Sequence, residues 1–397
     1  MRVDHPGQVA GGPPPSALAP RLALFFAMYF AAIGVLLPYW PVWLAAQGLD
    51  PDEIGLALAL GLFARIVTVP FVARWADRKG KRRRVMTASA LVGLLGYAGF
   101  AVTGGLPAIL LLSLVTGAAM TTMLPLGEAM TMSHVAAGRI DYGRVRLWAS
   151  IAFIGTASLA GAVLERSGSA SVLWLTLGLV AVLVAACAAV PPSAPAPSEG
   201  RREARVAELL RADLLLFLLA AGLIQASHAV LYGFGTLHWQ AQGLSDGLIG
   251  VLWALGVVAE VALFAFSGRL LSRPSPPQLL LAAGALTGLR WIVLAFATEP
   301  ATIAAAQLLH AISFAVTHLA VMHHIQRTAP AALAGTAQAV YVAFMGGSLM
   351  GAATLASGWL YAQVAGLSYL AMAVMAWTGA AIALALIGRR RAPAPPS

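Results

Sequence analysis

The chain has 397 residues, of which 60% are hydrophobic and 10% are charged. A soluble domain carries about 25% charged residues, so this composition excludes a soluble globular protein and indicates an integral membrane protein. The formal net charge of +10 could point to a nucleic-acid partner, but the positions of the basic residues argue against one. The single cysteine, Cys187, lies in an apolar run and has no partner for a disulfide.

Twelve apolar segments follow one another along the chain. Each has about 20 residues or more, the length that a helix needs to cross a bilayer. Turn or charge signals such as DPDE (50–53) separate them. The predicted spans are 21–46, 53–76, 84–103, 106–134, 143–165, 169–190, 212–240, 247–271, 277–297, 301–325, 334–361 and 366–388. The sequence therefore predicts an all-α membrane protein with twelve transmembrane helices.

The remaining segments are predicted to be cytoplasmic. Residues 1–20 contain GGPPP and lack the features of a signal peptide, which predicts a disordered tail. Residues 191–211 are rich in Pro, Ser and charge and predict a linker between six-helix bundles at 21–190 and 212–388. Residues 389–397 form a second predicted tail.

The basic residues predict the orientation in the membrane. All but three of the 25 Lys and Arg residues fall in the predicted cytoplasmic segments or at adjoining helix ends; the exceptions are Arg65, Arg166 and Arg290. This positive-inside pattern predicts cytoplasmic termini in a bacterial-type inner membrane. It also explains the net charge without a nucleic-acid partner.

The two halves of the chain repeat each other. AQGLDPDEIG (46–55) recurs as AQGLSDGLIG (241–250), and the same shift aligns Arg65 with Glu260. Two parallel six-helix repeats are the arrangement of the major facilitator superfamily, whose substrate site lies at mid-membrane between the halves.

Several motifs carry a resemblance to known transporters. ARWADRKGKRRR (73–84) resembles the superfamily's loop between the second and third helices, although Ala73 stands where glycine is usual. DYGRVRLWASIAF (141–153), ASHAVLYGF (226–234) and QLLHAISFAVTHLA (307–320) resemble the phenylpropionate permease family, proton-linked transporters related to the oligosaccharide symporters. The resemblance implies a gating loop, with ordinary positive-inside charge as the alternative. Its residues are Asp77, Arg78, Gly80, Lys81 and Arg82.

Glu260 lies in the middle of an apolar span. A central carboxylate costs a membrane helix about 2.5 to 3.5 kcal/mol, so it predicts either a proton site or a structural ion pair. Arg290 is the predicted partner because the 247–271 and 277–297 spans are antiparallel neighbours. The resemblance implies that a histidine joins them, and the next span supplies His310 and His318 at helical spacing.

Other polar residues in the spans predict a substrate site. Gln225, His228 and Tyr232 share one helix face. Glu128 and Arg146 lie at similar depths in neighbouring spans, and this pair is predicted to be a substrate contact or a gating bridge. Arg65 is predicted to contact an anion or to act as a gate, or else to pair with backbone carbonyls across the bundle. The predicted substrate-binding residues are Gln225, His228, Tyr232, Trp253, Gln307, Phe314, Glu128, Arg146, Arg65 and Tyr39.

These residues predict a proton-coupled symporter of a small organic solute, an aromatic carboxylate such as a phenylpropionate-like acid. In the predicted cycle, protonation of Glu260 frees Arg290 or a histidine to bind the anion, and the two halves then rock. A sugar or nucleoside symporter of the same fold and an intramembrane enzyme using His310 or His318 are the alternatives. No enzyme activity, cofactor or metal is predicted; the partners are substrate, protons and lipid, and the chain is predicted to be monomeric.

Overall fold

The computed structural model describes residues 15–193, 211–270, 274–330, 333, 337–338 and 340–391. This part of the chain is helical and contains no β-strand, which confirms the predicted all-α class. Its α-helices, labelled in chain order, are α1 (Pro15–Ala46), α2 (Pro51–Arg78), α3 (Arg82–Val102), α4 (Leu106–Ala136), α5 (Tyr142–Ser167), α6 (Ala170–Ala189), α7 (Ala212–Ala226), α8 (Ala229–Ala241), α9 (Asp246–Leu270), α10 (Pro276–Phe296), α11 (Pro300–Leu308), α12 (Thr317–Thr328), α13 (Met350–Val364) and α14 (Ser368–Arg391).

Within the described residues, eleven helical segments are long and apolar enough to cross a membrane. The last of them, Gly346–Arg389, is divided by a turn at Ala365–Leu367, where Ala365 has a positive φ of 46°. The turn separates α13 from α14. The predicted spans 334–361 and 366–388 therefore both reach into this one segment.

The predicted boundary at residue 20 is wrong. Helix α1 begins at Pro15, because proline is well tolerated in the first turn of a helix and the residues after it are mostly apolar. Helix α14 likewise runs to Arg391, since basic residues are favoured at a helix C-terminus. The rest of the predicted tails (1–14 and 392–397) and most of the predicted linker (194–210) lie outside the described residues.

Three predicted spans, 212–240, 301–325 and 334–361, are not continuous α-helices. The 212–240 span breaks between α7 and α8, where the backbone N–H of His228 donates to the Gln225 carbonyl three residues back. The 301–325 span contains a π-helix at Ala311–Val316, and a second π-helix lies at Tyr341–Leu349. A π-helical turn is wider than an α-helical turn and is common at functional sites. The break before α8 and the π-helix 311–316 both fall near the middle of their spans, beside the predicted site residues His228 and His310.

The helices pack mainly within the two halves of the chain. Helix α1 packs on α5 and α6, and α4 packs on α2 and α3; in the second half, α14 packs on α10 and α7. The halves meet where α5 packs on α9, α2 on α13 and α1 on α8. Gly161 and Gly250 leave no room for a Cβ at the α5–α9 contact, because each faces a backbone carbonyl of the other half. The halves are thus tightly joined at the ends predicted to face outward.

Candidate functional site

A carboxylate and a histidine meet inside the second half. Glu260 lies in the central part of α9, and its Oε1 is 2.8 Å from Nε2 of His310, which stands at the start of the π-helix 311–316. The two side chains are only 15% and 11% exposed. A contact of this length in a buried setting is a strong hydrogen bond.

The other nitrogen of His310 faces an arginine. Arg290 Nη1 lies 3.2 Å from His310 Nδ1. A guanidinium can only donate hydrogen bonds, so Nδ1 must accept, and the neutral ring then carries its hydrogen on Nε2. Nε2 therefore donates to Glu260. Arg290, His310 and Glu260 form a chain of hydrogen bonds that is called the buried triad below.

Arg290 is fully buried and bound on several sides. Besides His310, its guanidinium donates to the Ala306 carbonyl at 2.9 Å, to Ser313 Oγ at 3.0 Å and to Gln307 Oε1 at 2.7 Å. Four of its five N–H groups are accounted for by these bonds. Arg290 is therefore not the direct partner of Glu260 that the helix order predicts, because His310 lies between them.

A second branch of the network leads to His228. Its Nδ1 is 3.0 Å from the Gln225 carbonyl and must donate there, which leaves Nε2 to accept from Ser313 Oγ at 3.0 Å. Ser313 thus connects His228 with Arg290. Sequence reasoning missed Ser313; its position three residues after His310 in an apolar helix was the available signal.

A central cavity of about 470 Å³ lies beside this network, between the two halves. Its polar groups come from both halves, and Phe314 separates it from the buried triad by packing on the His310 ring with centroids 5.5 Å apart. The lining residues are mostly aliphatic or aromatic: Ile33, Leu36, Leu37, Trp40, Pro41, Leu58, Leu62, Arg65, Tyr97, Gln225, Tyr232, Gly233, Phe314, His318, Tyr341, Val342, Gly346, Met350 and Thr354.

The structure divides the predicted site residues into two groups. The cavity wall contains Arg65, Gln225, Tyr232, Phe314 and His318. The others lie outside that wall, namely Glu260, Arg290, His310, His228, Gln307, Trp253, Glu128, Arg146 and Tyr39. Gln307 is buried and bridges Arg290 to the Leu252 carbonyl, and Trp253 is buried with its Nε1 donating to Thr236 Oγ1 at 3.0 Å.

The first half holds an ion pair between Arg146 and Glu128, which are predicted as a substrate contact or a gating bridge. Arg146 Nε is 3.5 Å from Glu128 Oε1, and the Tyr142 hydroxyl donates to the same oxygen at 3.2 Å. The Arg146 guanidinium also lies 4.3 Å from the centroid of the Phe30 ring.

Tyr39 lies between the halves, away from lipid. It is fully buried, and its hydroxyl is 3.2 Å from the Ala157 carbonyl and 3.3 Å from the Asp246 carbonyl. At the same end, Glu165 Oε2 accepts the backbone N–H of Gly247 at 2.9 Å. These bonds join α5 of one half to the start of α9 in the other.

The predicted gating loop lies at the opposite end. Arg82 Nε is 2.5 Å from Asp77 Oδ1, and Arg82 Nη1 reaches Ser193 Oγ at 3.3 Å. Gly80 has a positive φ of 60°, which glycine adopts without strain. Arg78 and Lys81 are exposed.

Comparison with known proteins identifies the family. A family model described as the MFS_1 like family matches residues 20–371. The chain belongs to this family. It is 33% identical to the "Probable 3-phenylpropionic acid transporter" of Escherichia coli over 348 residues, which cover 86% of this chain and 90% of that protein. It is 26% identical to the "Maltose permease" of Geobacillus stearothermophilus over 378 residues, covering 93% and 94% of the two chains.

Solved structures share the fold. The nucleoside transporter NupG has a TM-score of 0.78 at 14% identity and covers 95% of this chain and 100% of its own. A bacterial homolog of the human lysosomal transporter Spinster, in an inward-facing conformation, has a TM-score of 0.74 at 14% identity, covering 97% and 100%. The major facilitator fold is thus confirmed. The chain is a multi-pass membrane transporter of a small molecule, and since its relatives are transporters and not enzymes, the intramembrane-enzyme alternative is discarded.

Proposed function

We propose that this transporter is a proton-coupled symporter of an aromatic carboxylate. The observation that carries the proposal is the buried triad beside the central cavity. A carboxylate kept inside a membrane protein at a cost of about 2.5 to 3.5 kcal/mol is a functional group by default. Both termini are proposed to be cytoplasmic in a bacterial inner membrane, as the positive-inside pattern predicts, and the chain is proposed to act as a monomer.

Glu260 is the proposed proton site. Arg290 holds the Nδ1 of His310 as an acceptor, so the imidazole cannot take up a second proton there without losing that bond. Glu260 has one oxygen facing His310 and is the acidic member of the triad. Proton uptake at Glu260 leaves Arg290 with its bonds to Ala306, Gln307 and Ser313.

The cavity favours an aromatic acid over a sugar. Its wall is mainly aliphatic and aromatic, with rings from Trp40, Tyr97, Phe314 and Tyr341. An aromatic ring gains by leaving water for such a wall, whereas the many hydroxyls of a sugar would lose hydrogen bonds there. The similarity to a protein named as a probable 3-phenylpropionic acid transporter supports the same choice.

Electrostatics can couple the two ligands. A bound carboxylate and an ionised Glu260 are two negative charges in an apolar interior, and they repel each other. Protonation of Glu260 removes that repulsion, so proton uptake and anion binding assist each other to the same extent. Arg290 does not line the cavity. Protonation of Glu260 is therefore proposed to favour anion binding by removing repulsion, and not by freeing Arg290 to bind the anion as the sequence predicts.

A binding experiment on the purified full-length protein tests both parts. Thermal stability is measured with 3-phenylpropionate, maltose and a nucleoside at an acidic and a mildly alkaline pH, and proton uptake is followed in weakly buffered solution. We expect stabilisation by the aromatic acid alone, greater at the acidic pH, with net proton uptake on binding. Stabilisation only by maltose or the nucleoside would contradict the substrate class, and binding without proton uptake would contradict the coupling.

A further inference from the structure

Arg65 differs from Arg290 and Arg146, two other arginines inside the bundle. It lies in the middle of the long apolar helix α2 and lines the central cavity. Its Nε atom is buried without a hydrogen-bond partner, and no acidic group lies within ion-pair distance of its guanidinium among the described residues. Arginine stays charged in such surroundings and must be paired or solvated. Arg65 is therefore a half-buried cation that has no acidic partner among the residues that the structure describes.

A structural role for Arg65 is not supported by its contacts. Such a role would require hydrogen bonds to backbone carbonyls, and the buried Nε of Arg65 has no partner among the described residues. Two other arginines inside the bundle are already occupied: buried Arg290 by its hydrogen-bond network and half-buried Arg146 by Glu128. Neither of these two lines the cavity. Among the arginines that the structure describes, Arg65 is therefore the one that brings a fixed positive charge to the cavity wall, beside the N–H donors of Gln225 and His318.

We propose that Arg65 binds the carboxylate of the substrate and gives the transporter its preference for acids over neutral analogues. This inference rests on the proposed function and names the group that selects the anion. A planar guanidinium can bind both oxygens of a carboxylate in a bidentate pair. The ring of the ligand then packs on the aromatic part of the wall, which includes Trp40 and Phe314.

The neighbouring helix leaves space for this arginine. Gly346, in the π-helix 341–349 of the second half, faces the guanidinium, and a Cβ added there would lie 3.3 Å from Arg65 Nη1. Arg65 belongs to the first half. A carboxylate bound to Arg65 would therefore lie at the contact between the two halves, where its presence can influence their relative movement.

The test compares an acid with its amide. Binding of 3-phenylpropionate and 3-phenylpropanamide is measured by tryptophan fluorescence on the purified full-length protein, since Trp40 lines the cavity. In the natural protein the acid should bind more tightly than the amide by about tenfold or more, as expected for a charged hydrogen-bonded pair. Arg65→Gln should abolish that preference by weakening the acid alone. Arg166→Gln, the same change at an exposed position, should leave it intact.

Two further variants keep the test decisive if Arg65→Gln fails to fold. Arg65→Lys keeps the charge but loses the bidentate geometry, so the preference should fall part of the way. Gly346→Ala keeps Arg65 and crowds it, so the acid should weaken more than the amide. The proposal is overturned if Arg65→Gln still prefers the acid or weakens both ligands equally; the proposed function then stands. If the natural protein binds neither ligand, both proposals fail.

Discussion

Replacing Glu260 with glutamine should uncouple transport from the proton gradient while leaving the protein folded. Glutamine keeps an oxygen that can accept from His310 Nε2, which lies 2.8 Å from the carboxylate oxygen in the structure. Only the charge-assisted part of that bond is lost, a cost of about 1 kcal/mol. Glu260→Ala removes the acceptor and leaves a buried N–H unpaired, which costs about 2 to 3 kcal/mol. The two variants thus separate folding from coupling.

Glu260→Gln should strongly reduce the accumulation of substrate, although it lowers the free energy of unfolding only slightly. With one proton per substrate, a gradient of one pH unit supplies about 1.4 kcal/mol, which sustains about tenfold accumulation of the substrate. Without an ionisable group at position 260, the gradient no longer drives the carrier. The accumulation ratio of Glu260→Gln should therefore fall to about one, whereas exchange of labelled for unlabelled substrate across the membrane should continue.

The assay uses reconstituted vesicles with an acidic exterior and a labelled aromatic acid. Protein-free vesicles measure the passive entry of the undissociated acid, which is subtracted. Glu299→Gln is the matched control, because Glu299 is an exposed carboxylate at the start of α11 whose side chain makes no capping hydrogen bond. Accumulation by Glu260→Gln at the level of the natural protein would refute the assignment of Glu260 as the proton site, and loss of exchange as well would indicate a structural role.

Three further variants probe the surroundings of the site. Gln307→Leu leaves an N–H of Arg290 unpaired in the core and should lower the unfolding free energy by about 2 to 4 kcal/mol, measured as a reduced melting temperature. Tyr39→Phe removes hydrogen bonds between the halves at the predicted outer end and should increase labelling of cysteines introduced there. Asp77→Asn breaks an exposed pair with Arg82 and should change stability by less than about 1 kcal/mol while lowering the transport rate. An unchanged melting temperature, labelling or rate, respectively, would contradict each expectation.

The fold was largely predictable because hydropathy alone marks helices that cross a membrane. Apolar runs of the required length, separated by Gly, Pro and charge, identified the helical segments that the structure shows. Their interruptions were not predictable. The break at His228 and the π-helix 311–316 arise from local hydrogen bonding, which leaves the hydropathy of a span unchanged.

The predicted stripe on the 301–325 span shows why the site was harder to predict than the fold. Regular helical spacing places Gln307, His310, Phe314 and His318 on one face, but the wider π-helical turn begins between His310 and Phe314. Gln307 and His310 consequently face Arg290, whereas Phe314 and His318 face the cavity. The residue types identified the correct part of this span. The backbone geometry was needed to separate the residues that bind Arg290 from those that line the cavity.

The internal repeat places Arg65 and Glu260 at equivalent positions of the two halves, with opposite charges. The structure adds a difference in how the cations of the two halves are satisfied. Arg290, the cation beside Glu260, keeps three other protein acceptors, so Glu260 can gain or lose a proton without leaving Arg290 unpaired. The buried Nε of Arg65 has no acceptor among the described residues. A cation that the protein itself satisfies, such as Arg290, can remain in place while a neighbouring carboxylate takes up a proton, whereas a cavity-lining cation such as Arg65 is suited to binding an anion from outside.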